Sequence, residues 1–134
     1  AKFYHNKNNW EKAIRFYEIQ LKKMPDDLET ALLLLECYTE KGDFDVIEKK
    51  TEVFLQIYPT QPQFYYYSGL AFNQKGVFKK AKNILESGLD FIIDDPELEI
   101  NFNIQLGEAY NGLGDMKKKE YYFSKAESAL KNKK

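Results

Sequence analysis

Apolar side chains in this chain recur at steps of three and four residues rather than alternating. Leu28, Ala31, Leu32, Leu35 and Tyr38 make one stripe, and Phe44, Ile47, Thr51 and Phe54 make the next. Such spacing gives a helix one face for a core and leaves the other for water. Short breaks rich in Gly, Asn, Asp or Pro separate the stripes, and those residues stop one helix and start another. The pattern predicts helices near 1–7 (partial), 9–23, 26–41, 43–57, 60–75, 77–93, 96–112 and 115–131. Pro25, Pro59 and Pro96 sit where helices begin, with Asp26, Thr60 and Asp95 as expected N-caps. The fold class is all-α.

The breaks are themselves periodic. Gly42-Asp43-Phe44, Gly76-Val77-Phe78 and Gly114-Asp115-Met116 each set a Gly two residues before a large apolar side chain. Asn8-Asn9-Trp10 has the same form, with Asn tolerating the left-handed conformation in place of Gly. The first members stand at 8, 42, 76 and 114, so the spacings are 34, 34 and 38. An aromatic precedes each by four residues, at Tyr4, Tyr38, Phe72 and Tyr110, and Pro25 and Pro59 are also 34 apart. A unit of two helices in 34 residues cannot bury its apolar face alone, so neighbours must stack.

On these positions the chain resembles the tetratricopeptide repeat (TPR) family over nearly its whole length. Leu106, Gly107 and Tyr110 fit the family's first-helix pattern, as do Gly69 and Phe72. Ala13, Ala81, Gly88 and Ala126 fit its small second-helix positions, and Pro25 and Pro59 close repeats. The resemblance implies a right-handed α-solenoid of about 3.5 to 4 TPR units, a single domain over 1–134. Its repeats run approximately over 1–25 (partial), 26–59, 60–95 and 96–131. Leu35 and Phe54 are large where the pattern asks for small residues, so the second repeat should pack differently. Lys119 also replaces a small residue. The four extra residues in the last spacing fall around Phe91 to Glu99, predicting a lengthened helix or a longer loop there. Ala1 enters the register about eight positions late, so the chain reads as a fragment truncated at its N-terminus, and the Lys-rich end reads as a natural terminus.

Composition narrows the function. Hydrophobic residues are 43% and aromatics 16%, enough apolar surface to drive folding. The single His5 lacks a nucleophile partner, and the single Cys37, beside Tyr38 in an apolar stripe, reads as a small buried hydrophobe. Asp94, Asp95, Glu97 and Glu99 lack the alternating ligands and central Gly of a calcium loop and suit a helix N-terminus instead. Gly112-Leu113-Gly114 lacks the strand and the Lys-Ser/Thr of a phosphate loop. Paired carboxylates such as Glu36 and Glu40 need a closed site for acid–base work, which an open solenoid lacks. No enzyme, metal or cofactor is expected. The net charge of −1 conceals bands: +4 over 1–25, −6 over 26–57, +2 over 58–93, −6 over 94–115 and +5 over 116–134. Acidic bands repel phosphate, and in the basic end Phe123, Ala126 and Leu130 read as an inward stripe with solvated lysines outside. Nucleic acid is not expected as a partner.

What remains is binding. The resemblance places ligand contacts on the first helix of each repeat, here Lys2, His5 and Asn6; Leu32, Glu36, Thr39 and Glu40; Tyr66, Leu70, Asn73 and Gln74; and Ile104, Glu108 and Asn111. The clamp that holds a chaperone's C-terminal carboxylate in this family is missing, because Leu32, Glu36, Tyr66 and Leu70 occupy its places. An amide- and aromatic-rich groove with flanking carboxylates suits a peptide or protein segment carrying basic and apolar anchors. Phe64-Tyr65-Tyr66-Tyr67 surrounds one helix with aromatics, so at least one should be exposed and available to a partner or to self-association. The expected function is a non-enzymatic protein-interaction scaffold. The alternative is a structural part of a larger TPR array or homo-oligomer.

Overall fold

The computed structural model describes residues 7–132. Lys2, His5 and Asn6 lie outside them, as does the expected stub helix up to residue 6. Among the described residues there are seven helices and no strand: α1 (Lys7–Lys23), α2 (Leu28–Lys41), α3 (Phe44–Ile57), α4 (Pro62–Gln74), α5 (Phe78–Leu89), α6 (Pro96–Leu113) and α7 (Met116–Asn132). They fall into two compact units, one up to Pro59 and one from Thr60.

The three Gly turns come out as expected. Gly42, Gly76 and Gly114 have φ of 82°, 78° and 80°, which costs a side-chain-bearing residue energy that Gly does not pay. In each, the amide of the next residue donates back to the carbonyl of the turn aromatic: Asp43 to Tyr38 at 3.0 Å, Val77 to Phe72 at 2.9 Å, and Asp115 to Tyr110 at 3.0 Å. These are Schellman closures, which satisfy carbonyls that the helix end would leave open. The Asn8-Asn9 break does not act as a turn, because both residues already lie inside α1.

Starts and ends differ elsewhere. Helix α2 is capped by Asp27, whose side chain accepts from the Thr30 amide, while the backbone carbonyl of Asp26 accepts from the Tyr58 hydroxyl. Hydrogen bonds from the Thr30 hydroxyl and amide hold the Asp27 carboxyl below its usual range. Helix α4 follows Gln61 rather than Thr60, since Pro62 suits the first helical position. Asp95 caps α6 as expected, accepting from the Leu98 amide at 3.1 Å. Helix α5 stops at Leu89, not 93, so the four extra residues form a loop before Asp95. In that loop Asp94 has φ 50°, a left-handed conformation that Asp tolerates better than most residues.

In the first unit, Ile14, Ala31, Leu34, Leu35, Cys37, Tyr38, Ile47 and Phe54 are buried. In the second, Leu85, Leu98, Phe102, Leu106 and Tyr110 form one cluster. Helical glycines let its helices approach closely: an added Cβ would stand 2.4 Å from Leu85 at Gly69, from Tyr65 at Gly88 and from Phe123 at Gly107. On α7, Ala126 is buried but Leu130 is 49% exposed, so the expected inward stripe ends before Leu130. The aromatic run is also more enclosed than expected. Phe64 is fully buried, Tyr65, Tyr66 and Tyr67 are each half-buried, and none is open to solvent. Tyr65 packs its ring 5.5 Å from Phe91, and Tyr66 lies 5.3 Å from Tyr67 and 6.1 Å from Phe102.

Candidate functional site

In the first unit the expected contact residues lie along α2. Leu32, Glu36 and Thr39 are half-buried, and Glu40 is exposed. The Thr39 hydroxyl donates to the Leu35 carbonyl at 2.8 Å. Its proton is thus committed to its own helix, and only acceptor capacity remains for a ligand.

In the second unit α4 and α6 pack against each other, and Asn73 joins them. Its Nδ2 donates to both the backbone carbonyl and the side-chain Oε1 of Gln105, each at 2.9 Å. Its Oδ1 is buried and has no hydrogen-bond partner, a costly condition that an incoming donor would relieve. Tyr66 is half-buried on the same helix, and burial pushes its phenol up. Gln74, Glu108 and Asn111 are exposed and Ile104 is half-buried. Leu70, expected to touch a ligand, is only 8% exposed and belongs to the core. Gln105 is the residue that sequence reasoning missed. Its position next to Ile104 was the available signal.

Two buried phenols tie turn aromatics to glutamates. Tyr38 donates to Glu18 Oε2 at 2.7 Å in the first unit, and Tyr110 donates to Glu86 Oε2 in the second. The sequence separations are 20 and 24, so one bond recurs and the difference equals the inserted loop. Burial first, and then the adjacent carboxylate, pushes both phenols far above their usual range.

A further surface feature was not foreseen. Helices α1 and α3 enclose a cleft of about 540 Å³ lined by Leu21, Pro25, Val46, Val53, Phe54 and Ile57, with Glu18, Lys22, Lys49 and Lys50 around it. Val53 is 54% and Ile57 44% exposed. The signal was present: Val46, Val53 and Ile57 step by seven and four along α3, beside the core stripe Ile47–Thr51–Phe54.

The described residues hold no group of three His, Cys, Asp or Glu placed to bind a metal ion. No described helix is long and apolar enough to cross a membrane. Cys37 is 2% exposed, and burial raises its thiol, as suits an inert core residue.

No family model and no curated protein sequence matches the chain. Solved structures do. MamA from Desulfovibrio magneticus RS-1 (residues 41 to the end) superposes with a TM-score of 0.76 at 18% identity, over 93% of this chain and 68% of that one. MamA AMB-1 gives 0.74 at 17% identity, over 91% and 70%. BtubC from P. vanneervenii gives 0.72 at 19% identity, over 93% and 58%. The fold is of the tetratricopeptide-repeat type. The TPR expectation thus holds at the level of fold, with helix pairs, Gly turns and small residues at the packed positions.

Proposed function

We propose that this chain is a non-enzymatic protein-interaction scaffold, working as one TPR domain over 1–134. It takes a peptide or protein segment on the first helices of its repeats. The observation that supports this most is the orphan acceptor Asn73 Oδ1 in the α4–α6 seam. A segment laid along that seam supplies the missing donor, and exposed Glu108 favours a cation beside it. Tyr66 offers apolar area and Gln74 and Asn111 offer amide contacts, while Leu70 belongs to the core. In the first unit, Glu36, Thr39 and Glu40 present acceptors only, which selects for the same basic chemistry.

The test uses fluorescent 12-residue peptides with identical apolar anchors and either Lys/Arg or Asp/Glu between them, read by anisotropy. Basic peptides should bind, with acidic ones at least about tenfold weaker. Asn73→Leu, Glu108→Lys and the pair Glu36→Lys with Glu40→Lys should each weaken binding by about five- to tenfold while the helical circular dichroism stays unchanged. Equal affinity for the two peptide classes, or wild-type binding by all the variants, would refute this reading.

A further inference from the structure

The four-residue insertion has no part in the proposed peptide face, yet it is conspicuously placed. It forms the loop between Leu89 and Asp95, and at its apex Ile93 is 79% exposed, more than any other large apolar side chain among the described residues. The loop is held on its C-terminal side. Asp94 takes a left-handed turn, Asp95 caps α6, and Pro96 fixes the first helical residue. Asp94 and Glu97, one and four residues further along the chain, are exposed. An exposed apolar side chain with carboxylates close by in sequence therefore stands on a braced backbone. Little ordering entropy remains to be lost on contact.

The α1–α3 cleft has complementary properties. Its lining is apolar, and Lys22 and Lys49 stand exposed on its rim. The one carboxylate in the lining, Glu18, is already engaged: Oε1 accepts from Lys50 at 2.8 Å and Oε2 accepts from Tyr38. The rim thus presents net positive charge around an apolar floor. We propose that the lysine-rimmed cleft between α1 and α3 receives the Ile93 loop of a second copy of this chain.

Ile93 would enter among Val46, Val53 and Ile57, with Asp94 and Glu97 facing Lys22 and Lys49. The two surfaces are different patches in different units, so the Ile93 knob of one copy fills the cleft of another. A contact made by one loop is small, which places it in the weak, salt-sensitive class. This assembly uses neither the α4–α6 seam nor α2, so it stands or falls apart from the peptide-binding reading.

Sedimentation of the full chain tests it. Wild type should show concentration-dependent association at about 0.1–1 mM, weakened by raising salt to about 0.5 M. Ile93→Asp, a change at an exposed loop position, and Lys22→Glu with Lys49→Glu, two exposed rim positions, should each reduce association at least about tenfold. The decisive measurement mixes the two variants. One has an intact cleft and the other an intact knob, so together they should form a 1:1 complex that grows no further. A strictly monomeric wild type overturns the proposal, as does association that either variant leaves unchanged. Failure of the mixture to pair overturns it too. A wild-type chain that stays monomeric while its cleft binds an acidic, apolar synthetic peptide would assign the cleft to a foreign partner instead.

Discussion

The two units follow the same turn rules but pack their helices by opposite means. The second uses absence of side chain: Gly69, Gly88 and Gly107 let Leu85, Tyr65 and Phe123 come against bare backbone. The first has one glycine, Gly42, and it is spent on a turn. At the positions where the family pattern asks for small residues it carries Leu35 and Phe54, both buried. Phe54 also lines the α1–α3 cleft, so bulk at that position coincides with a gap between second helices. Exposed apolar residues do not follow that division, since Phe16, Ile19, Met24, Val53 and Ile57 lie in the first unit and Val77, Ile93, Leu113, Met116, Tyr121 and Leu130 in the second. A repeat can tolerate a large residue in place of a small one, and here one of the two, Phe54, ends in the wall of a cleft.

This contrast can be broken most severely at Leu35. Leu35→Ala, which restores the family's small residue, should destabilise the first unit by about 3 kcal/mol, because the surroundings are built around the larger side chain. A denaturant melt showing unchanged or higher stability would mean that the site collapses without loss. Gly88→Ala makes the reverse change in the second unit. Its new Cβ meets Tyr65 Cβ, which cannot swing aside, so a loss of about 2 kcal/mol is expected despite the better helix propensity. Hydrogen exchange should localise that loss to α4–α6.

The shared phenol–glutamate bonds sharpen the comparison, since they should behave alike in both units. Tyr38→Phe and Tyr110→Phe should each cost about 1.5 kcal/mol. Both phenols are raised above the ordinary value of 10. Their contribution is therefore complete below pH 10, where the unfolded phenol is also protonated, and is lost as pH rises further and the unfolded state ionises first. The double variant should flatten that alkaline fall, and an unaltered profile would show that other groups cause it. The smallest effect is expected at a cap: Asp95→Ala should cost about 1 kcal/mol in a thermal melt, and Asp95→Asn much less.

Much of the architecture was legible because a repeat states each rule several times. Gly42, Gly76 and Gly114 fixed the turns, and Ala13, Ala81 and Ala126 the buried small positions. The misreadings occur where a local preference had a neighbour able to do the same work. Asp27 displaced Asp26 as cap, and Gln61 preceded Pro62 where Thr60 was expected. The stretch from Leu89 to Ile93 was expected to be helical, but α5 ends at Leu89, and the amides of Phe91 and Ile92 donate only into short turns, to Gly88 and Leu89. The expected contact positions could be placed on helices from the sequence, but what each packs against could not. That Asn73 spends its amide nitrogen on Gln105 depends on two helices 32 residues apart meeting, and a single helix's pattern does not encode it. Leu70 is buried for the same reason: burial is decided by what packs opposite.

The burial of Cys37 has a practical consequence. It is the chain's sole thiol, and Trp10 is its sole indole. Both lie in the first unit. A thiol reagent can modify Cys37 only when α2 opens, so its labelling rate counts those openings directly. Tryptophan emission follows the same unit, so the native chain carries two intrinsic probes of residues up to Pro59 and neither of the remainder.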